Sequence, residues 1–378
     1  MQRSKRVFSA APFFDEQSID SILKEIKLVL KSGFLIDGPH VQEFEKEFAE
    51  YVGAKDAIAV SSGTAALEIM LRLFNIEGKD VIVPTNTFVA TPTSVLFSGG
   101  KPVFADMAEE TLCIDLDDIE RKITSKTAGV IAVHIAGLIC PQMNELRKFC
   151  HDNDLFLLED AAHAHGAMIN GRKAGILCDG GAFSFYPTKI MTTGHGGMIT
   201  TNDANMAVAS RNMRNHGLDS ERIMRMIGDN WCMSEVTAVI GEYQLAKLED
   251  FVSKRNEIAK YYEAALRKIA EVSIFHTPSN IRHSYYKYPI LLSDNVDRDN
   301  VAKALKNEFG VDTGSIYYPP CHLHPWYQQN FGTHEGDLPI SETVLKKVLC
   351  LPMHLGVTEE IVHYVVDALE ISINKSLN

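Results

Sequence analysis

The chain is short of positive charge. Its 378 residues carry 37 lysines and arginines against 49 aspartates and glutamates, a net charge of −12. That deficit argues against non-specific binding to nucleic acid or to an anionic membrane surface. The basic pairs that do occur, Arg211 with Arg214 and Arg222 with Arg225, read either as solvated helix faces or as a hold on a phosphorylated substrate. Cysteine is also scarce. The seven, at 113, 140, 150, 178, 232, 321 and 350, are odd in number and include no Cys-x-x-Cys, so reduced thiols are expected rather than a disulfide framework. Two His-x-His pairs exist, His163 with His165 and His322 with His324. Neither has cysteines or carboxylates in a ligand-like array beside it, so no metal is expected and both read as polar loop histidines. No apolar stretch follows the basic opening Met1–Arg6, so no secretory signal and a cytoplasmic location are expected. The uncharged run from Val81 to Gly100 has the length of a membrane span. It contains Pro84, Pro92 and many threonines and serines, which exclude a membrane helix.

What is present is an ordinary globular composition, 46% hydrophobic and 23% charged, over a length that suits two domains. Apolar residues at helical spacing predict helices over 16–32, ended by Gly33, and over 38–51, ended by Gly53. Strands and helices then alternate. Strands are predicted at 57–60, 80–83, 102–105, 128–134 and 155–159, with helices at 64–74, 89–97, 115–122 and 143–152. Such βα alternation predicts a mostly parallel central sheet covered on both faces. Two further strand-like runs, 181–185 and 198–201, flank a small-residue loop. Long helices follow at 233–248 and 251–269, then a strand at 285–292 and helices at 298–309 and 358–373. The change in texture predicts a large domain over 1–246 and a smaller C-terminal α+β domain over 247–378.

The loop after 181–185 carries Ser184-Phe185-Tyr186-Pro187-Thr188-Lys189 and then Gly194-His195-Gly196-Gly197. A lysine between buried strands loses its proton more readily than a solvated one and can hold a carbonyl covalently. A plain loop lysine at a strand end is the alternative. A second stretch bears on that choice. The apolar run Leu155–Leu158 ends in Glu159-Asp160-Ala161-Ala162-His163, which places a carboxylate at the C-terminal end of a parallel strand, where ligands bind in open α/β sheets. Pyridoxal phosphate needs a lysine for its aldehyde and an acid for its ring nitrogen, and Lys189 and Asp160 supply both. Ser61-Ser62-Gly63-Thr64-Ala65 lies where a strand turns into a helix, a design that exposes backbone N–H groups to a phosphate, or else an ordinary helix cap. Phe88, just past the next strand, is suited to stacking on a flat ring or to the core.

Taken in order, these pieces resemble the DegT/DnrJ/EryC1/StrS aminotransferases, fold-type I pyridoxal-phosphate enzymes that aminate nucleotide-linked keto sugars and related cyclic ketones. The matching segments also include Gly38-Pro39-His40-Val41-Gln42-Glu43-Phe44-Glu45, Asn230-Trp231-Cys232-Met233-Ser234-Glu235, Gln244-Leu245 and Leu351-Pro352-Met353-His354, and span about 10–370. The resemblance implies that Lys189 binds the cofactor and shuttles the proton, and that Asp160 holds the pyridine nitrogen. It also implies that Thr64, Ser184 and the backbone of Gly63, Thr64 and Ala65 take the phosphate, and that Phe88 stacks on the ring. Asn230 would reach the phosphate of a neighbouring subunit, which implies a homodimer with shared sites. His322 matches a family loop near the substrate. Three positions depart from the commoner pattern: His163 for Gln, Cys232 for Arg and His195 for Glu. His163 can still hydrogen-bond the ring hydroxyl. The implied reaction moves an amine, from L-glutamate by resemblance, to a keto sugar, in polysaccharide or antibiotic-sugar synthesis. A keto-cyclitol or amino-dehydroshikimate-type ring is an alternative acceptor. Dehydratases of this family carry histidine in place of the lysine, which Lys189 disfavours. A non-catalytic regulatory protein has no use for an intact Lys189–Asp160 pair.

Borohydride treatment of the purified yellow protein is expected to bleach it and fix a reduced adduct on Lys189, read by peptide mapping. An adduct on another lysine, such as Lys173, overturns the assignment.

Overall fold

Helix α1 (Glu16–Ser32) is capped by the Asp15 side chain, which accepts from the Ser18 N–H, and ends at Gly33 in the left-handed region. Helix α2 (Pro39–Val52) has no side-chain cap of its own. Its cap comes from far away in sequence: the buried Glu235 carboxylate accepts the N–H groups of Gly38, His40 and Val41, each at 2.9 Å. Two of the segments that carry the family resemblance therefore meet at one helix terminus. These features belong to a computed structural model that describes residues 6–377.

The central sheet is built from β1 (Asp56–Val60), β2 (Asp80–Pro84), β3 (Lys101–Ala105), β4 (Thr127–Val133) and β5 (Phe156–Asp160). After two short strands, β6 (Met168–Ile169) and β7 (Arg172–Lys173), it is completed by β8 (Gly180–Ser184) and β9 (Gly197–Thr201). The order is β1-β9-β8-β5-β4-β2-β3. All neighbours are parallel except those of β9, which runs antiparallel to both β1 and β8. The expected mostly parallel α/β sheet is present. Helices α3 (Gly63–Leu73), α4 (Ala90–Phe97), α5 (Leu116–Lys122), α6 (Met143–Asp152) and α7 (Ala204–Arg214) connect or flank the strands, and α8 (Glu235–Leu245) packs on α2. The strands are buried on both faces, which is why they read as continuous apolar runs rather than alternating ones.

An aromatic group fixes α2 to the sheet. Phe48 lies 5.0 Å from Phe183 and 5.6 Å from Phe185, and Phe44 lies 5.3 Å from Phe185, all four fully buried. Phe183 lies one residue before the end of β8 and Phe185 begins the loop to β9, so this cluster anchors the chain just before Lys189.

The break between α8 and α9 (Leu248–Leu266) falls beside the boundary expected at 246/247. The far half of α9 packs with β10 (Val272–Ile274), β12 (Tyr288–Leu292), α10 (Arg298–Phe309), β13 (Val348–Leu351) and α13 (Glu359–Leu377), around a separate apolar cluster. Between these lie β11 (Ile281–Arg282), α11 (Pro325–Phe331) and α12 (Pro339–Leu345). Backbone pairing departs from the expected domains twice. Val7 pairs with Val311, and Ser9 accepts from the Met353 N–H, so residues 6–9 belong with the C-terminal body. Conversely, β11 pairs with β6 of the large body. Hydrophobic periodicity cannot report pairing between segments hundreds of residues apart. The run from Val81 to Gly100 forms β2, a turn and α4, and no helix among the described residues is long and apolar enough to cross a membrane.

Phe48→Ala removes the ring shared by both halves of this cluster and is expected to lower unfolding free energy by about 3–5 kcal/mol in urea titration. A loss below about 1 kcal/mol would show that the cluster repacks freely.

Candidate active site

Parallel strands deliver their C-terminal ends to one edge of the sheet, and a cavity of about 370 Å³ opens there. Its wall contains Gly63 and Thr64 after β1, Phe88 and Thr91 after β2, Asp160 and His163 at the end of β5, Ser184 at the end of β8 and Lys189 beyond it. Tyr286, Lys287 and Tyr317 reach it from the C-terminal body.

The β1–α3 turn is shaped by close packing. A Cβ on Gly63 would stand 2.8 Å from Ser184 Cβ, and one on Gly197 would stand 2.3 Å from the Ser62 carbonyl carbon. Glycine at both positions lets the helix terminus approach β8 and β9. The first N–H groups of a helix have no partner within it, and here Gly63 and Thr64 line the same cavity as Ser184. Ser62 caps α3 by accepting the Ala65 N–H at 3.1 Å. Ala65 is itself buried and does not reach the cavity, so of the three turn residues expected to hold phosphate, only Gly63 and Thr64 line it.

Asp160 is 8% exposed. Its Oδ2 accepts from Thr91 Oγ1 at 2.7 Å and its Oδ1 accepts from the Ala162 N–H at 3.2 Å. Thr91 is held in turn by Thr87 at 2.7 Å. On the adjacent residue, the fully buried Glu159 carboxylate meets His134 Nε2 at 2.8 Å and accepts the N–H groups of Gly175 and Leu177. The strand end that presents Asp160 is thus tied from both sides.

Lys189 sits in the β8–β9 loop, which is closed by the Phe185 N–H donating to Gly196 O and the Thr193 N–H donating to Phe185 O. Its Nζ lies 4.7 Å from the Tyr286 ring centroid. Loss of bulk water pushes its pKa down to about 8, with Asp160 pulling upward and Lys287 adding to the lowering. A usable fraction of neutral amine therefore exists near neutral pH.

His163 is 3% exposed, stacked at 4.3 Å on Tyr286, with Nε2 at 2.9 Å from the Tyr317 hydroxyl. Burial, then the charges of Lys189 and Lys287, hold its pKa well below the ordinary histidine value, so the ring is neutral. Its Nδ1 is buried without a partner. His165 is buried too, which corrects the expectation of polar loop histidines. Phe88 is 57% exposed at the cavity rim, 5.9 Å from Tyr317.

Two expected residues lie elsewhere. His322 is fully buried, bonded to Thr85 Oγ1 at 2.7 Å and Glu342 at 2.9 Å, and does not line the cavity; the substrate contact expected there is replaced by a structural tie. Asn230 is exposed, paired through its backbone with Asn215, and does not reach this chain's cavity. Sequence reasoning missed Thr91, Tyr286, Lys287 and Tyr317. Only Thr91 left a trace, the Thr87–Thr91 spacing of one helical turn. Among the described residues there is no cluster of three metal-ligating side chains.

These residues fit pyridoxal phosphate. A helix terminus with Thr64 and Ser184 suits a phosphate, Asp160 suits a ring nitrogen, Lys189 suits an aldehyde, and the orphaned His163 Nδ1 is a polar atom awaiting a partner. Residues 16–370 match the model of the DegT/DnrJ/EryC1/StrS aminotransferase family. The spore coat polysaccharide biosynthesis protein SpsC of Bacillus subtilis is 36% identical over 363 residues, covering 92% of this chain and 93% of that one. The GDP-perosamine synthase of Caulobacter vibrioides is 35% identical over 371 residues, covering 97% and 98%. The aminotransferase PseC of Helicobacter pylori, involved in the biosynthesis of pseudoaminic acid, superposes with a TM-score of 0.92 at 26% identity, covering 98% of this chain and all of that one. A family match over nearly the whole chain, joined to a cavity that holds the lysine and the aspartate together, places this protein in the DegT/DnrJ/EryC1/StrS family of pyridoxal-phosphate-dependent aminotransferases.

Proposed function

We propose that this protein transfers an amino group from L-glutamate to the keto group of a nucleotide-linked sugar, as a homodimer with shared sites. The observation that carries the chemistry is the pairing of Lys189, its pKa lowered to about 8, with Asp160 in one cavity. The keto-sugar acceptor is supported by relatives named for GDP-perosamine and for dTDP-linked amino sugars.

When bound, pyridoxal phosphate supplies the electron-poor ring that carries the amine between donor and acceptor. Lys189 would hold its aldehyde end and, once released, take the α-proton of the donor and return a proton to the acceptor carbon. Asp160 would keep the ring nitrogen protonated, with Thr91 and the Ala162 N–H fixing its orientation. Gly63, Thr64 and Ser184 would hold the phosphate, Phe88 would cover one face, and His163 Nδ1 would meet the ring hydroxyl.

The dimer is supported by exposed apolar residues beside Asn230. Phe34 is 68% exposed, Met224 62% and Ile227 74%. The 34–36 segment joins the residue that caps α8 through the Ile36–Ser234 bridge, and exposed apolar side chains of this size suit burial against a second copy. Asn230 is exposed and supplies an amide donor without adding charge.

Asp160→Asn is expected to slow the half-reaction with L-glutamate by at least about a hundredfold, read by stopped-flow absorbance, while cofactor remains bound. Near-normal rates remove Asp160 from the mechanism. Mixing Lys189→Ala with Asn230→Ala, each impaired alone, is expected to restore part of the activity after subunit exchange. A mixed dimer gathers both lesions in one site and leaves the other whole. Verified heterodimers that stay inactive refute the shared site.

A further inference from the structure

An α-amino acid that gives up its amine at Lys189 carries a carboxylate one carbon from the reacting nitrogen. Close to the reacting atoms, in a site cut off from bulk water, that charge needs a cation. Among the described residues lining the cavity there is no arginine, and the only lysines are Lys189 and Lys287. Lys189 is committed to the cofactor. Lys287 is not committed to anything of opposite charge: its Nζ donates to Ser315 O at 2.6 Å, and no carboxylate among the described residues pairs with it. One hydrogen bond leaves two of the three ammonium donors free.

The position is defined. Lys287 is half-buried, immediately before β12, and its Nζ lies 5.0 Å from the Tyr317 centroid and 5.8 Å from that of Tyr286. Lys189 Nζ sits over the same Tyr286 ring at 4.7 Å. The two ammonium groups thus flank one ring, near enough that the charge of Lys287 acts on Lys189. The Gly63–Ser184 corner, suited to the cofactor phosphate, belongs to the other body of the chain. A nucleotide diphosphate, joined at the anomeric carbon, stands off from a ring ketone by the width of the sugar. The donor carboxylate has no such spacer. We propose that Lys287 binds the α-carboxylate of the amino-acid donor and is a specificity-determining residue of the first half-reaction. This rests on the amino-acid donor read above.

The test uses holoenzyme with α-methyl-L-glutamate, a donor analogue that has no α-proton to lose, and reads its Kd from the absorbance of the bound chromophore. Lys287→Met is expected to weaken this Kd by roughly tenfold to a hundredfold, as for loss of a charged hydrogen bond. Lys287→Arg is expected to restore most of it. Borohydride adduct formation on Lys189 should be unchanged in both, which separates a binding defect from a misfolded site. The midpoint pH of the chromophore should rise in Lys287→Met, because a positive neighbour that opposed protonation is gone. Inhibition by GDP or dTDP, measured in parallel, distinguishes the two anions. If Lys287→Met spares the analogue Kd, or weakens nucleotide binding alone, the proposal is overturned. If the wild type ignores L-glutamate but responds to another amino acid, the donor named above is wrong. The same comparison, run with the α-methyl analogue of that amino acid, then decides Lys287.

Discussion

The structure depends on keeping an amine and a carboxylate together at the wall of a cavity largely closed to bulk water. Desolvation works against the charged form of Lys189, and Asp160 works for it; the balance leaves the lysine pKa at about 8 rather than in the range of a solvated lysine. Had burial been weaker, the amine would be almost wholly protonated at neutral pH. A stronger field from Asp160 would have had the same result. The surrounding contacts serve to hold that balance. Thr91 and the Ala162 N–H occupy Asp160, the Glu159–His134 pair stiffens its strand, and the phenylalanines of α2 clamp the chain ahead of Lys189.

The architecture explains how four sequence-distant segments can meet. Parallel strands deliver their C-terminal ends to one edge, so β1, β2 and β5 each contribute from the residues just beyond. The antiparallel β9 returns the chain at once, which turns the Lys189 segment into a tight loop against α3 rather than a helical crossover. The second body then closes the cavity with Tyr286, Lys287 and Tyr317. That body is itself stitched to the chain's start through Val7 and Ser9, and to the large body through β11. The cavity is therefore lined by residues from both sides of α9 in the sequence.

The misread residues have a common cause. His322 sits in a proline-bounded loop that matched a substrate loop in local sequence, yet its side chain turns inward to Thr85 and Glu342. His163 and His165, for want of ligand-like neighbours, read as polar loop histidines, yet both are buried. A side chain's direction depends on what packs over it, and in each case the covering residues come from elsewhere in the chain.

The sequence by itself determined the βα alternation, the apolar strands, most helix limits and the pair Lys189 and Asp160. Each of these rests on local physics: periodicity, caps, small residues at strand ends, and the functional groups that a pyridine aldehyde demands. Tertiary structure alone decided that Glu235 caps α2 and that residues 6–9 join the C-terminal body. It also decided that Tyr286, Lys287 and Tyr317 complete the cavity. Those contacts join positions that are scores to hundreds of residues apart, and no local pattern encodes a pairing whose partner is set by how two bodies pack.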